Sequence, residues 1–498
     1  MAWDKESLQE FVREKLHNYQ LILVSNREPY MHVYRDGEVE VIKPASGMAI
    51  ALDSLMQSCG GTWVASGSGE ADQEAMAGQE AIMVPPQDPR YRLRRVWLTR
   101  QEELDYYYGF SNEALWPLCH LVYTRPQFIN RQWETYQAVN RKFADAILSE
   151  VGEKPTIVFI QDYHFALLSQ MLKERNPNLL VCQFWHIPWP NFEVFRICPW
   201  ATEILEGLLG NDLLGFHLQY HCNNFFDTVD HTLEARVDWE KFSIVRAGKE
   251  TLVHPFPISV DFDLFETMAS SPRTEERMAE LRHRYNLHNV KLGLGLDRLD
   301  YTKGIPERLQ AVDIFFQKYP QYLGRFTFLQ LSVVSRARIQ PYKDLNIRVD
   351  DLEEKITSAY SQGRWKPLIM RKVHLSQEDI VPFYRLADIM LVSSLHDGMN
   401  LVAKEFVASR LDHRGTLILS PFTGSSRELT GANQINPYNP EEIADAIFEA
   451  LEGDEAEEAA RMENMRAWVR EHNIFHWAKE YLTSLFRLSQ EEHLRGQL

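Results

Sequence analysis

The chain has 498 residues, 45% hydrophobic and 25% charged, which at roughly 100–200 residues per domain predicts two or three domains, each with its own core. Its formal net charge of −17 argues against a nucleic-acid partner, which needs a basic face, yet leaves room for a small phosphorylated ligand held by a few local Arg and Lys residues. The start of the chain lacks a secretory pattern, no apolar run reaches the roughly 18 residues that span a bilayer, and Cys59, Cys119, Cys182, Cys198 and Cys222 match no zinc or redox spacing, so a cytoplasmic protein with reduced thiols and no membrane partner is expected.

The first half alternates buried-strand runs with helical patterns. Residues 21–24 form an apolar run ending in Ser25-Asn26-Arg27. Lys43-Pro-Ala-Ser-Gly47-Met48 is a small-residue loop entering the apolar helix of Ala49, Leu52, Leu55 and Met56. Such a loop can approach a phosphate closely, and an ordinary turn reads the same. Strands follow over 156–160, ending at Asp162-Tyr163-His164, over 179–185, ending at His186-Ile-Pro-Trp-Pro190, and over 212–216. His186, fixed beside prolines, reads either as a ligand of a sugar hydroxyl or as a satisfied structural histidine.

After His254-Pro-Phe-Pro257, the expected domain junction, the alternation restarts. A strand over 291–296 leads into Arg298-Leu-Asp-Tyr-Thr-Lys303-Gly304-Ile-Pro-Glu-Arg308, with a helix starting near Pro306. Arg298 and Lys303 can converge there on a diphosphate, aided by the helix N-terminus, or they are two solvated basic residues in a loop. Strands over 325–332, 388–392 and 417–420 follow. His396-Asp397-Gly398-Met399-Asn400-Leu401 precedes a helix expected to begin near Met399, with Met399, Val402, Ala403, Phe406 and Val407 at helical spacing. Glu405, at the flank of that stripe, can accept both hydroxyls of a ribose, and Asp397 can hold sugar hydroxyls. The plain alternative is a helix cap and a surface charge. No paired carboxylates of the glycosidase type stand out. The pattern predicts two α/β domains of the Rossmann-like kind in series, with polar residues after strand ends, where open α/β sheets bind ligands, and a cleft between the facing domains.

In this order the segments resemble the trehalose-6-phosphate synthase family, a retaining GT-B group, from about Leu21 to about Trp477. The resemblance is carried by Ser25-Asn26-Arg27, Asp162-Tyr163-His164, His186-Ile-Pro, Asp212-Leu-Leu-Gly-Phe216, Arg298-Leu-Asp-Tyr, Lys303-Gly-Ile-Pro-Glu-Arg308, Asp397-Gly-Met-Asn-Leu-Val-Ala-Lys-Glu405 and Asn436-Pro-Tyr438. It implies an acceptor-binding domain over 1–256, a nucleotide-sugar-binding domain over 257–474, and a helix over 475–498 returning to the first. It implies that Gly47, His186, Arg298, Lys303, Asp397, Gly398, Met399, Asn400, Leu401 and Glu405 bind the donor. His186, Arg298, Lys303 and Asp397 are the catalytic candidates. Arg27, Tyr107, Trp116, Asp162 and Arg336 match acceptor positions. The implied substrates are a nucleotide-glucose and a small sugar phosphate, with no cofactor and no metal. The leaving phosphate itself helps deprotonate the acceptor. A homo-oligomer remains open, as does the nucleotide base.

Three departures bear on this. The family's Gly-Gly pair is Ser46-Gly47, the Arg before Asp397 is His396, and the Trp-Ser-Gly that follows Gly61-Thr-Trp63 becomes Ala65-Ser66-Gly67-Ser68-Gly69 without a Trp. Glucose 6-phosphate as acceptor is the first reading, glycerol 3-phosphate the second, and a non-catalytic sugar-phosphate sensor the third. The retained Arg298, Lys303, Asp397 and Glu405 speak against the sensor. No fused phosphatase domain is expected.

Overall fold

The computed structural model describes residues 3–43 and 47–495. The chain forms two compact units, Met1–Ile258 with Ile474–Leu498, and Ser259–Asn473.

The first unit is built on a ten-stranded sheet. Its parallel strands lie in the order Tyr91–Val96, Thr62–Ser66, Gln20–Ser25, Thr156–Gln161, Leu180–Phe184, Leu213–Phe216, Lys249–Pro255. Antiparallel strands close both edges. Thr62–Ser66, Thr156–Gln161, Leu180–Phe184 and Leu213–Phe216 are buried along their whole length, as expected where helices cover both faces of a parallel sheet. The helix Ile474–Arg495 packs on this unit. Trp477, Tyr481 and Leu485 recur every four residues on its buried face, the indole of Trp477 donates to the Phe256 carbonyl at 3.2 Å, and Tyr481 donates to that of Gln183 at 2.9 Å.

The second unit has six parallel strands, ordered Leu368–Lys372, Phe326–Val334, Lys291–Leu299, Ile389–Val392, Thr416–Leu419, Asn433–Gln434. Successive side chains of a strand point to opposite faces. Met390 and Val392 therefore join Phe406 and Leu417 in one core, and Ile389 and Leu391 join Phe315 and Ile418 in the other.

In each sheet the chain reverses its direction of strand addition, once between Gln20–Ser25 and Thr156–Gln161, once between Lys291–Leu299 and Ile389–Val392. Adjacent parallel strands leave a crevice at such a switch point, beyond their carboxyl ends. The strand predicted over 291–296 runs on to Leu299, because Asp297, Arg298 and Leu299 stay in register with Ser332, Val333 and Val334. Among the described residues no helix is long and apolar enough to cross a membrane.

Candidate active site

At the switch point of the first unit, Asn26 and Arg27 follow one strand and Asp162 the next. Asp162 has φ +72°, a left-handed conformation that an L-residue holds only when its surroundings fix it. Its Oδ1 accepts the N–H of Tyr163 at 3.0 Å and that of His186 at 3.2 Å. Its Oδ2 lies 4.0 Å from His164 Nδ1. Arg27 Nη2 donates to the Tyr107 hydroxyl at 3.3 Å, and the Tyr107 ring stacks on His164 with 5.8 Å between centroids. Tyr107 belongs to a π-helix, Glu103–Leu115, a rare geometry that recurs at functional sites. Trp116 follows it, buried beside His120 and Tyr163, so its indole backs this cluster.

His186 Nε2 lies 2.9 Å from Gln161 Oε1. Burial, then neighbouring His164, hold its pKa down at about 3, so the imidazole is neutral at physiological pH. Gly47 opens the helix Gly47–Cys59. The loop residues Pro44, Ala45 and Ser46 lie outside the described residues; Lys43, before them, is tied to Asp53 of the helix that follows. Its carboxylate accepts Lys43 Nζ at 2.9 Å, the Tyr30 hydroxyl at 2.8 Å and the Tyr91 hydroxyl at 2.6 Å.

At the switch point of the second unit, Lys303 Nζ and Asp397 Oδ2 stand 2.6 Å apart, and Asn400 Nδ2 donates to the same oxygen at 3.1 Å. Lys303 is thus paired rather than a lone cation. Arg298 is second from the end of its strand, 31% exposed, with Asp300 Oδ2 at 3.8 Å. Buried Asp300 also takes Arg336 Nη1 at 3.1 Å and the Tyr342 hydroxyl at 3.2 Å, so Arg336 and Arg298 share one counter-ion. Gly304, at φ +63°, passes so close to the Ser393 carbonyl that a Cβ would stand 2.1 Å from its oxygen. Only glycine fits this turn into the helix Ile305–Lys318.

The helix expected near Met399 begins at Leu401. Asn400, at φ +71°, caps it by accepting the Ala403 N–H at 3.2 Å, so Asp397 is no helix cap. The Asp397 N–H donates to the Phe422 carbonyl at 3.0 Å and the Met399 carbonyl accepts from Ser425 at 2.8 Å, which fixes the turn through Gly398. Glu405 is buried, not a surface charge. Tyr384 donates to its Oε2 at 2.7 Å, a partner the sequence reading missed. Burial raises its carboxyl to about 6 against that hydrogen bond. His396 is lowered by burial to about 4 and carries no charge at the position where the resemblance expects an Arg. Among the described residues no cluster of His, Cys, Asp or Glu is arranged to hold a metal ion.

Two doubly wound Rossmann-like units, each with charged residues gathered at its switch point, define a GT-B glycosyltransferase. The chain belongs to glycosyltransferase family 20, whose family model matches residues 19–487. It is 36% identical over 478 residues to a trehalose-6-phosphate synthase from Mycobacterium sp. (strain KMS), covering 93% of this chain and 94% of that one. An E. coli structure described as trehalose-6-phosphate bound with UDP-2-fluoro glucose superposes with TM-score 0.83 at 31% identity, covering 94% of this chain and 99% of that one. A UDP-forming alpha,alpha-trehalose-phosphate synthase from Burkholderia xenovorans, in complex with glucose-6-phosphate, superposes with TM-score 0.84 at 27% identity, covering 94% and 99%.

Proposed function

We propose that this chain is a retaining glucosyltransferase that carries glucose from UDP-glucose to glucose 6-phosphate, giving α,α-trehalose 6-phosphate. The observation that carries this reading is the set Arg298, Lys303, Asp397 and Glu405 at the switch point of the second sheet. Arg298 and Lys303 neutralise the donor diphosphate, Asp397 and His186 accept and donate to the glucose hydroxyls, and Glu405 holds the ribose. The backbone of Gly47 and of Gly398, Met399, Asn400 and Leu401 lies against donor phosphate and sugar. Arg27, Tyr107 and Arg336 take the acceptor phosphate, Asp162 an acceptor hydroxyl, and Trp116 supports them. The bond from glucose C1 to the β-phosphate oxygen breaks while the acceptor oxygen bonds to C1 on the same face. The acceptor proton passes to the departing phosphate. Charge on the leaving group is met by fixed cations, so the scheme needs no metal. Free cysteines throughout support a cytoplasmic location.

The test is a product assay by mass, in excess EDTA, with UDP-, ADP- or GDP-glucose and either glucose 6-phosphate or glycerol 3-phosphate. A disaccharide phosphate from UDP-glucose and glucose 6-phosphate is expected. Glucosylglycerol phosphate as the main product, or no product until metal is added, would overturn the corresponding part of the reading.

The raised Glu405 carboxyl gives a pH signature. The ribose hydroxyls need the carboxylate form, which is lost as pH falls through about 6. The KM for UDP-glucose should therefore rise on the acid side and be flat above, in initial rates taken between about pH 5 and pH 8. Glu405→Gln should show a high KM at every pH. A wild-type KM that does not move over this range would remove Glu405 from the ribose.

A further inference from the structure

Resting on the transferase reading above, we propose that Trp97 is the aromatic wall of the acceptor pocket in this chain, set in place by a buried clamp of Glu28, Arg95 and Asp72, and that it selects a pyranose phosphate over an acyclic one. The run after Trp63 carries no Trp where the resemblance expects one. The structure brings another indole to the same loop.

Gln20–Ser25, Thr62–Ser66 and Tyr91–Val96 are parallel neighbours, so their carboxyl ends deliver Arg27, Gly67 and Trp97 to one edge of the sheet. The loops are stitched together there. The Ser66 N–H donates to the Asn26 carbonyl at 3.3 Å and the Gly67 N–H to the Val96 carbonyl at 3.2 Å. The Trp97 ring lies directly over Gly67. A Cβ at that position would stand 2.4 Å from Cζ3 and 2.9 Å from Cε3 of the indole, so the ring takes the place that any side chain at Gly67 would need. Trp97 remains 38% exposed.

The support beneath is unusually firm for a surface loop. Glu28, the residue after Arg27, is fully buried. Its Oε1 accepts the Ser68 N–H at 2.8 Å and the Ser68 hydroxyl at 3.0 Å, and its Oε2 meets Arg95 Nε at 2.6 Å. Asp72 Oδ2 accepts the Gly69 N–H at 2.6 Å, while Asp72 Oδ1 takes Arg95 Nη2 at 3.0 Å and the His32 N–H at 2.8 Å. Two carboxylates thus face one guanidinium, and burial pushes the Glu28 carboxyl well above the usual carboxylate range. Such a buried charged network fixes geometry more than it adds stability. It fixes three things together, namely the backbone next to Arg27, the loop under the indole, and the segment from Trp97 to the Thr99-capped helix that continues into the Tyr107 π-helix. A pyranose presents a face of C–H groups that packs on an indole, and a glycerol chain presents none.

The test is steady-state kinetics of Trp97→Ala, Trp97→Leu and Trp97→Phe with both acceptors, beside thermal unfolding. Trp97→Ala should raise the KM for glucose 6-phosphate by about 10–100-fold, with the KM for UDP-glucose within about twofold. The preference for glucose 6-phosphate over glycerol 3-phosphate should shrink by a similar factor. Trp97→Phe should restore most of the acceptor KM, and Trp97→Leu, which keeps apolar bulk without a ring, should not. If the alanine variant fails to fold, the Phe–Leu difference decides. Equal acceptor KM values in the Phe and Leu variants, or an alanine variant that keeps the wild-type acceptor KM, would overturn the proposal. A wild-type enzyme that makes no disaccharide phosphate would instead overturn the transferase reading.

Discussion

Arg298→Ala should lower kcat by about 10²–10³-fold, the usual loss when one preorganised donor to a developing negative charge is removed. The residue stands at the carboxyl end of the first strand of its sheet, beside the reversal in strand order. Strand pairing with Val333 fixes its backbone, so the guanidinium needs no reorganisation when charge builds on the departing diphosphate. Asp300 lies 3.8 Å away and also takes Arg336, Tyr342 and Thr302. The side chain is part-exposed, so its removal should change stability by no more than about 0.5 kcal/mol. Arg298→Lys should recover only part of the rate, because an ammonium is a point charge and cannot grip two phosphate oxygens in a fork. The check is kcat on saturating donor together with the unfolding midpoint. An alanine variant within about threefold of wild type would take Arg298 out of the reaction.

The sequence made the strand-end residues legible for a physical reason. Parallel strands buried on both faces read as apolar runs, and the polar residues that break each run are those at the open edge. Arg27, Asp162, Arg298 and Asp397 were found that way. The same rule misjudged the strand that ends at Leu299, since Asp297 and Arg298 interrupt the apolar run while the ladder continues. Features made by long-range contact left no signal. The Lys303–Asp397 pair joins residues 94 apart, and the clamp on the loop after Ser66 joins residues 28, 72 and 95. The π-helix carrying Tyr107 breaks the 3.6-residue spacing on which helix reading depends. The helix start near Met399 was misjudged because Asn400 takes a left-handed turn first, a conformation its sequence position does not announce.

Arg308 shows how a motif residue can belong to the scaffold, and its loss should cost about 3–5 kcal/mol of stability. It closes the same motif as Lys303, yet its side chain is fully buried. Nη2 meets Asp297 Oδ2 at 2.8 Å, Nη1 donates to Gln330 Oε1 at 2.9 Å, and Nε donates to the Ser393 hydroxyl at 3.0 Å. These partners stand on or just beyond three adjacent strands, the two flanking the switch point and the next one out. Arg308→Ala strands the Asp297 carboxylate in the interior. Burial already raises the Asp297 pKa in the native protein, with Arg308 opposing it, so the variant should raise it further. A carboxyl whose folded pKa exceeds its unfolded value contributes stability at low pH that is lost as pH rises through the folded pKa. Denaturation of the variant should therefore show a deficit that is smaller at pH 5 than at pH 8, with activity falling as the Ser393 turn loosens. Arg308→Met, paired with Asp297→Leu and Gln330→Met, should recover much of the loss, because an apolar replacement of the whole network leaves no charge unpaired. A single alanine variant as stable as wild type at both pH values would show that the guanidinium clamps nothing.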